Sequence, residues 1–356
     1  MDVGSDEAEG GFLVKFSPDP GGHVRDEVAF LSGEEVGVLV PGNMRQPVSW
    51  FKGLCLPVIL GSIFILLHLV SMPDSLSEHM GSVEQHYAFL ASQGRHDVLY
   101  PLRTLPAGLM MMLGLDSWAA LRFPQLVLII PTLWGVGKAA EAWGYEGKWA
   151  MLAVLATPSV WTWYGRLMPD AWLTTGLALA VAGALSSTMR RGKAVWVLGV
   201  LVAVLSKPLG LVAFLSWFLA PRQERKLLLA PGFLLVAWYA LNWERFLEAG
   251  EYVGNRFTGG HEPFEAGVQV LLLVLLTGAA PGALLGLRRH PAVVPGLLLV
   301  GYALVDPWVN HAYYALPGLV LLGVPAAGMS ARARWWLLGA VVTVPFSLWA
   351  TGDLAL

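Results

Sequence analysis

Long apolar runs alternate with short polar connections along most of the chain beyond residue 53. Each run is bounded by charged residues or by Pro and Gly, and many approach the ~20 residues that a helix needs to cross a ~30 Å hydrocarbon core. The pattern predicts an all-α polytopic membrane protein with about 11 transmembrane helices. The predicted spans are 54–71, 119–137, 149–164, 170–187, 194–206, 208–220, 227–243, 266–286, 291–305, 312–328 and 335–351.

Composition supports this fold class. Of the 356 residues, 56% are hydrophobic and only 13% are charged, whereas a soluble domain carries about 25% charged residues. The single cysteine, Cys55, excludes a disulfide framework and a cysteine-based metal site. The net charge of −2 and the lack of a long basic tract give no indication of nucleic-acid binding. We expect the first span to be a retained anchor rather than a cleaved signal peptide.

The distribution of basic residues predicts the orientation. If residues 194–220 form two short spans broken at Lys207–Pro208, alternate connections on one side hold 16 of the 23 Lys and Arg residues. The positive-inside rule makes that side cytoplasmic, with the N-terminus inside and the C-terminus outside. A single long helix over 194–220 would invert everything downstream, so we predict the break at the proline.

The predicted domain organisation has two parts. Residues 1–50 form a small cytoplasmic N-terminal extension, for which a β-hairpin-like unit and a loosely ordered tail fit equally well. Residues 51–356 form the transmembrane domain, with a long external loop at 72–118. Within that loop, "SVEQHYAFLASQG" and "LRTLPAGLMMMLGLD" predict two interfacial helices.

Unusual polar residues concentrate on the predicted outer face. Arg166 and Asp170 flank Pro169 between two spans, where they could pair with each other or bind a phosphate and a sugar hydroxyl. Lys207 lies at a similar depth, where it could snorkel to the head groups or bind an anion. The external loop contributes acids, each of which could be a solvated surface group or a general base or metal ligand. His68, inside the first span, is predicted to be packed and hydrogen-bonded, without an assigned function.

These motifs, in this order, resemble the membrane glycosyltransferases of the GT-C superfamily. The resemblance rests on "E-x-x-Y-A" (Glu84, Tyr87, Ala88), "YPLRTLPAGLMMMLG", "LATPSVWTWYGRLMPDAWLTTGLALA", "LSKPLGLVAFL" and "NHAYYALPGLVLL". It covers roughly residues 50–330. The chain is most similar to the branch of dolichyl-phosphate-mannose–protein mannosyltransferases and lipid A aminoarabinose (ArnT-like) transferases.

The resemblance implies an integral membrane enzyme, of prokaryotic plasma membrane type, with its active site on the periplasmic or extracellular face. It would transfer a hexose or pentose, with inversion, from a polyprenyl-phosphate donor to a protein or glycolipid acceptor. Glu84 would be the catalytic acid or base, with Asp74 as a second carboxylate. The remaining residues implied at the donor phosphate or sugar are Arg166, Asp170, Lys207, His311, Tyr313, Tyr87 and Arg103.

The chain departs from this branch in the first external loop. Val83 stands where many relatives have an Asp, and "VLYPL" replaces a lysine-bearing motif. A divalent metal is therefore left open: Glu84 could bind it, with Asp74 or Glu78 replacing the missing acid, or Glu84 could act without metal. Two other readings also stay open, namely an inactive relative that binds polyprenyl phosphate and a transporter for lipids or anions.

Overall fold

A computed structural model describes residues 54–71, 82–94, 100–248, 296, 300 and 315–351 of the protein. Every regular element in these ranges is helical, in agreement with the predicted all-α class. The predicted N-terminal extension, the span 266–286 and most of the span 291–305 lie outside the described residues.

The helices follow the predicted runs closely. In chain order they are α1 (Cys55–Ser71), α2 (Ser82–Ser92), α3 (Leu105–Met112), α4 (Trp118–Val127), α5 (Ile129–Ala142), α6 (Gly147–Leu155), α7 (Pro158–Trp163), α8 (Asp170–Leu185), α9 (Arg190–Ser206), α10 (Leu229–Leu241), α11 (Leu316–Ala326) and α12 (Ala331–Thr351). Three segments are 3-10 helices: Pro101–Arg103, Pro208–Leu219 and Arg222–Leu228.

Span lengths differ from the sequence-based count. Among the described residues, one continuous stretch, Trp118–Ala142, is by itself long and apolar enough to cross a membrane. The other apolar helices are shorter, so the number of about 11 spans stays a prediction. The predicted span 149–164 is divided into α6 and α7, because Pro158 lacks the N–H that would continue the helix.

Helices α8 and α9 form a tightly packed antiparallel hairpin. A side chain at Gly176 would overlap the backbone of Ala203, and one at Gly183 would overlap the backbone of Trp196. In both pairs the residue numbers sum to the same value, as expected of two antiparallel helices in register. Small residues at such crossings let helix backbones approach closely, which is how helices associate within lipid.

The chain breaks after α9, as predicted. Lys207 is extended (φ −167°, ψ 163°), and the 3-10 segment Pro208–Leu219 then runs back along α9. Trp196, fully buried on α9, donates from Nε1 to the Ser216 hydroxyl at 2.7 Å. The reversal keeps Lys207 at the end of the hairpin where α8 begins.

The main core lies between α5, α6, α8, α9 and α11, with α1 packed against α5. Helix α8 is almost entirely buried along its length. It is therefore the central element of the described structure, and its first residue, Asp170, lies at a fixed position.

The two loop helices predicted from the sequence are present. Helix α2 is followed by Gly94 with φ +61°, and α3 by Gly114 with φ +75°, a left-handed conformation that glycine adopts without strain. Helix α3 packs against both α2 and α4.

We expect Gly183→Val to destabilise the protein, because the added side chain overlaps the backbone of Trp196. Overpacking of this kind costs about 1–3 kcal/mol or more when backbone is involved. The melting temperature in detergent would report the loss.

Gly339→Val is the matched control, since a side chain at Gly339 meets nothing within 4 Å. Equal melting temperatures for the two variants would contradict the close packing of α8 against α9.

Candidate active site

A buried ion pair closes one end of the α8–α9 hairpin. The Lys207 ammonium donates to Asp170 Oδ1 at 2.8 Å, and the two residues are only 7% and 1% exposed. Asp170 is the first residue of α8, and Lys207 directly follows α9. The second carboxylate oxygen, Oδ2, is also buried and has no hydrogen-bond partner within the described part of the chain.

Arg166 lies in the turn that precedes α8. Its Nε donates to the Thr162 carbonyl at 3.1 Å, and its guanidinium lies 4.2 Å above the ring of Trp163. The sequence suggested two partners for Asp170, namely Arg166 or an external ligand. Neither is its partner in the structure. The structure instead gives Asp170 a partner 37 residues away, Lys207.

Buried hydroxyl groups fix the start of this turn. The Tyr164 hydroxyl lies 2.5 Å from the Thr132 hydroxyl and 2.8 Å from the Thr175 hydroxyl, and the two threonines are 2.8 Å apart. Tyr164 is fully buried. This triangle ties the residue two before Arg166 to α5 and α8, so the backbone at Arg166 is held from the core side.

His68 supports the same turn from α1. Its Nε2 lies 2.8 Å from the Trp161 carbonyl and its Nδ1 lies 3.0 Å from the Phe64 carbonyl, with the imidazole stacked on the Trp161 ring. A side chain at Gly165 would contact the imidazole. The prediction of a packed, hydrogen-bonded histidine is confirmed, but its place beneath the Arg166 turn was not predicted.

The loop helices pack onto this turn through a small apolar cluster. Its buried members are Ala88 and Ala91 of α2, Ala107 of α3, Leu121 of α4 and Leu167 of the turn. The half-buried Tyr87 packs against it. The cluster therefore brings α2, which carries Glu84 in its first turn, next to the turn that carries Arg166.

Of the other predicted site residues, the structure describes only some. Arg103 ends a 3-10 segment that contacts α9, and its guanidinium lies 4.5 Å above the Tyr100 ring. Asp74, His311, Tyr313 and the side chain of Glu84 lie outside the description, so their roles stay predictions.

Arg122 is a residue that the sequence reasoning did not assign. It lies in α4 and is only 7% exposed. Its immediate neighbour Leu121 contacts the cluster that holds Leu167. A buried arginine near the start of a helix long and apolar enough to cross a membrane indicates a functional residue. Arg122 lies in the sequence segment "AALRFPQLVLI".

The described residues do not include a complete set of metal ligands. No group of three or more His, Cys, Asp or Glu side chains with metal-binding spacing occurs among those residues. Asp170, the buried carboxylate of the site, is already paired with Lys207. Metal binding through Glu84 therefore stays a prediction.

An apolar cavity of about 360 Å³ lies beside α9. It is lined by Val200, Leu201, Val204 and Leu205 of α9, Phe214 of the following 3-10 segment, four residues of α10, and Pro101 from the loop between α2 and α3. Its α9 residues occupy the last two turns before Lys207. The cavity is therefore adjacent to the end of the hairpin that carries the ion pair.

The fold and the site define an all-helical class of protein, in which loop helices pack next to charged residues at the ends of long apolar helices. The crystal structure of ArnT from Cupriavidus metallidurans in the apo state matches this chain with a TM-score of 0.58 at 16% sequence identity. The match covers 79% of this chain and 61% of that protein.

The chain thus has an ArnT-like fold, which confirms the fold that the sequence resemblance implied. The chain corresponds to less than two thirds of the length of ArnT. No protein-family model matches the chain, and no curated protein matches it.

We expect Lys207→Met to destabilise the protein strongly, because it leaves the Asp170 carboxylate buried without a partner. Breaking one half of a buried pair costs about 3–5 kcal/mol. The double variant Asp170→Asn/Lys207→Met should recover part of that loss in thermal unfolding.

Lys148→Met is the control, since the Lys148–Glu146 pair is about half exposed on both sides and such pairs contribute roughly 0–1 kcal/mol. Similar losses for Lys207→Met and Lys148→Met would show that the buried pair does not stabilise the hairpin.

Proposed function

We propose that the protein is a glycosyltransferase that moves a sugar from a polyprenyl-phosphate donor to a protein or glycolipid acceptor at the outer membrane–water interface. The observation that carries the proposal is the arrangement at one end of the α8–α9 hairpin. There, Arg166 and the buried Asp170–Lys207 pair lie at helix ends, and the loop helix α2 packs against the intervening turn. The ArnT-like fold supports it.

Arg166 and Lys207 would hold the donor phosphate. Arginine suits a phosphate because its planar guanidinium presents several donors at once. The Lys207 ammonium, which donates to Asp170 Oδ1, adds a second fixed positive charge. Cations fixed in a largely desolvated site would stabilise the charge that develops on the departing phosphate.

Asp170 would have two roles: it would orient the Lys207 ammonium through one carboxylate oxygen and the sugar through the other. Its Oδ2 is buried and lacks a partner among the described residues, and buried acceptors are almost always satisfied. A sugar hydroxyl can donate to this oxygen. Tyr87, Arg103, His311 and Tyr313 would complete the donor site.

The reaction would be a single displacement with inversion at the anomeric carbon. An acceptor hydroxyl attacks that carbon, the bond from carbon to the phosphate oxygen breaks, and the phosphate leaves with the bonding electron pair. Glu84 would take the proton of the acceptor hydroxyl, since a positioned carboxylate is a suitable general base. Asp74 would be a second carboxylate at the same place.

The apolar cavity beside α9 would take the isoprenoid chain of the donor. Its lining is almost wholly apolar, and it includes α9 residues that closely precede Lys207. A donor bound in this way has its tail among Val204, Leu205 and Phe214 and its phosphate at the end of the hairpin.

We expect Arg166→Ala to weaken binding of undecaprenyl phosphate by roughly 10- to 100-fold, the range for a lost charged hydrogen bond. Binding would be measured on the purified protein in detergent, with thermal unfolding to show that the variant is folded.

Arg245→Ala, an exposed arginine remote in sequence from this site, is the matched control and should bind like the wild type. Equal binding by both variants would remove Arg166 from the phosphate site.

We expect Glu84→Gln to keep undecaprenyl-phosphate binding but to lower sugar transfer by about 10²–10⁴-fold, the usual contribution of a general base. Transfer would be followed by mass analysis of surface glycans and glycoproteins in cells that express each variant.

Asp116→Asn, which removes an exposed carboxylate of the same loop, should leave transfer unchanged. Full transfer by a folded Glu84→Gln variant would refute the assigned base. Donor binding by the wild type without any transfer would instead favour the inactive relative.

A further inference from the structure

The end of α9 remote from Lys207 carries a dense group of cations, which we call the basic surface. It is formed by the first turn of α9 and by the 3-10 segment Arg222–Leu228, and its members are Arg190, Arg191, Lys193, Arg222, Arg225 and Lys226. Four of these six side chains are exposed and two are half-buried.

Three contacts hold the basic surface together. Lys193 of α9 pairs with Glu224 of the 3-10 segment at 2.6 Å, which joins its two halves. Arg225 donates from Nε to the Ala220 carbonyl at 3.2 Å, and its guanidinium lies 4.7 Å above the ring of Trp217. The surface is therefore a structured patch rather than a set of independent side chains.

The two segments that form this surface carry six cations and one acid, Glu224. Glu224 is the only acidic residue in the sequence between Asp170 and Glu244, and it is already paired with Lys193. The cations in the first turn of α9 also lie at the positive end of the helix dipole, where an anion is favoured. The net positive charge of the surface thus favours the approach of an anion.

The depth of the surface in the membrane follows from α9 itself. At 1.5 Å per residue, its 17 residues span about 25 Å, close to the ~30 Å of a hydrocarbon core. If Lys207 lies at one membrane interface, the basic surface lies at the opposite one.

The neighbouring residues include large apolar side chains that are exposed. Trp217 is 39% exposed, and Phe218, Leu229 and Phe233 are 59%, 72% and 74% exposed. A tryptophan beside cations and a wide apolar belt is typical of a membrane interface. The anions within reach of such a surface are phospholipid head groups.

We infer that the basic surface binds the head groups of anionic phospholipids in the leaflet opposite the candidate active site. Binding there would fix the far end of α9 and would set the depth at which the hairpin presents Lys207. The inference does not rest on the proposed enzymatic function, because it uses only the charges, contacts and exposure at this end of the hairpin.

The test compares the full-length protein in nanodiscs of phosphatidylcholine alone and of phosphatidylcholine with phosphatidylglycerol. We expect phosphatidylglycerol to raise the melting temperature of the wild type, and high salt to remove the effect. Native mass spectrometry should show retained phosphatidylglycerol. Arg190→Gln/Arg191→Gln should weaken that retention by about tenfold or more.

Two controls separate charge from fold. The exchange Lys193→Glu/Glu224→Lys keeps the ion pair and the net charge, so it should retain phosphatidylglycerol. Arg245→Gln removes one exposed cation elsewhere and should also retain it. Equal retention by Arg190→Gln/Arg191→Gln and the wild type would overturn the proposal. So would equal stabilisation by inorganic phosphate in place of the lipid, or a phosphatidylglycerol effect that persists at high salt.

Discussion

The ion pair between Asp170 and Lys207 is the interaction on which the site depends. Two ions removed from water are costly unless they meet in good geometry, and removal of one partner leaves the other uncompensated. The pair satisfies this condition at 2.8 Å. It fixes the first residue of α8 against the residue that follows α9, so the turn carrying Arg166 has a defined position relative to both helices.

The pair forms only because the two helices approach closely along their whole length. Glycines at 176 and 183 allow that approach, and the break at Pro208 stops α9 at the level where α8 begins. A helix that continued through Lys207 would carry the ammonium away from the Asp170 carboxylate. The break at Pro208 therefore both ends α9 and places the Lys207 ammonium next to the Asp170 carboxylate.

Local rules in the sequence predicted much of this arrangement. Proline chemistry predicted the break at Lys207, and the apolar patterns of the 72–118 loop predicted helices α2 and α3. The partner of Asp170 was not predictable, because it lies 37 residues away and depends on the register of two apolar helices. The same holds for His68, whose contact with Trp161 spans 93 residues. Hydropathy also could not reveal the division at Pro158, since both halves are apolar.

The charges of the candidate site fit the proposed donor. Arg166 and Lys207 together with Asp170 carry one net positive charge, which matches a phosphodiester with one negative charge. As the bond to the sugar breaks, negative charge accumulates on the phosphate, and the positive charges of Arg166 and Lys207 would stabilise it. The electrostatic complementarity between the site and the phosphate would therefore be greater in the transition state than in the bound donor. Interactions that strengthen in this way increase the reaction rate, whereas equal binding of both states would only tighten donor binding.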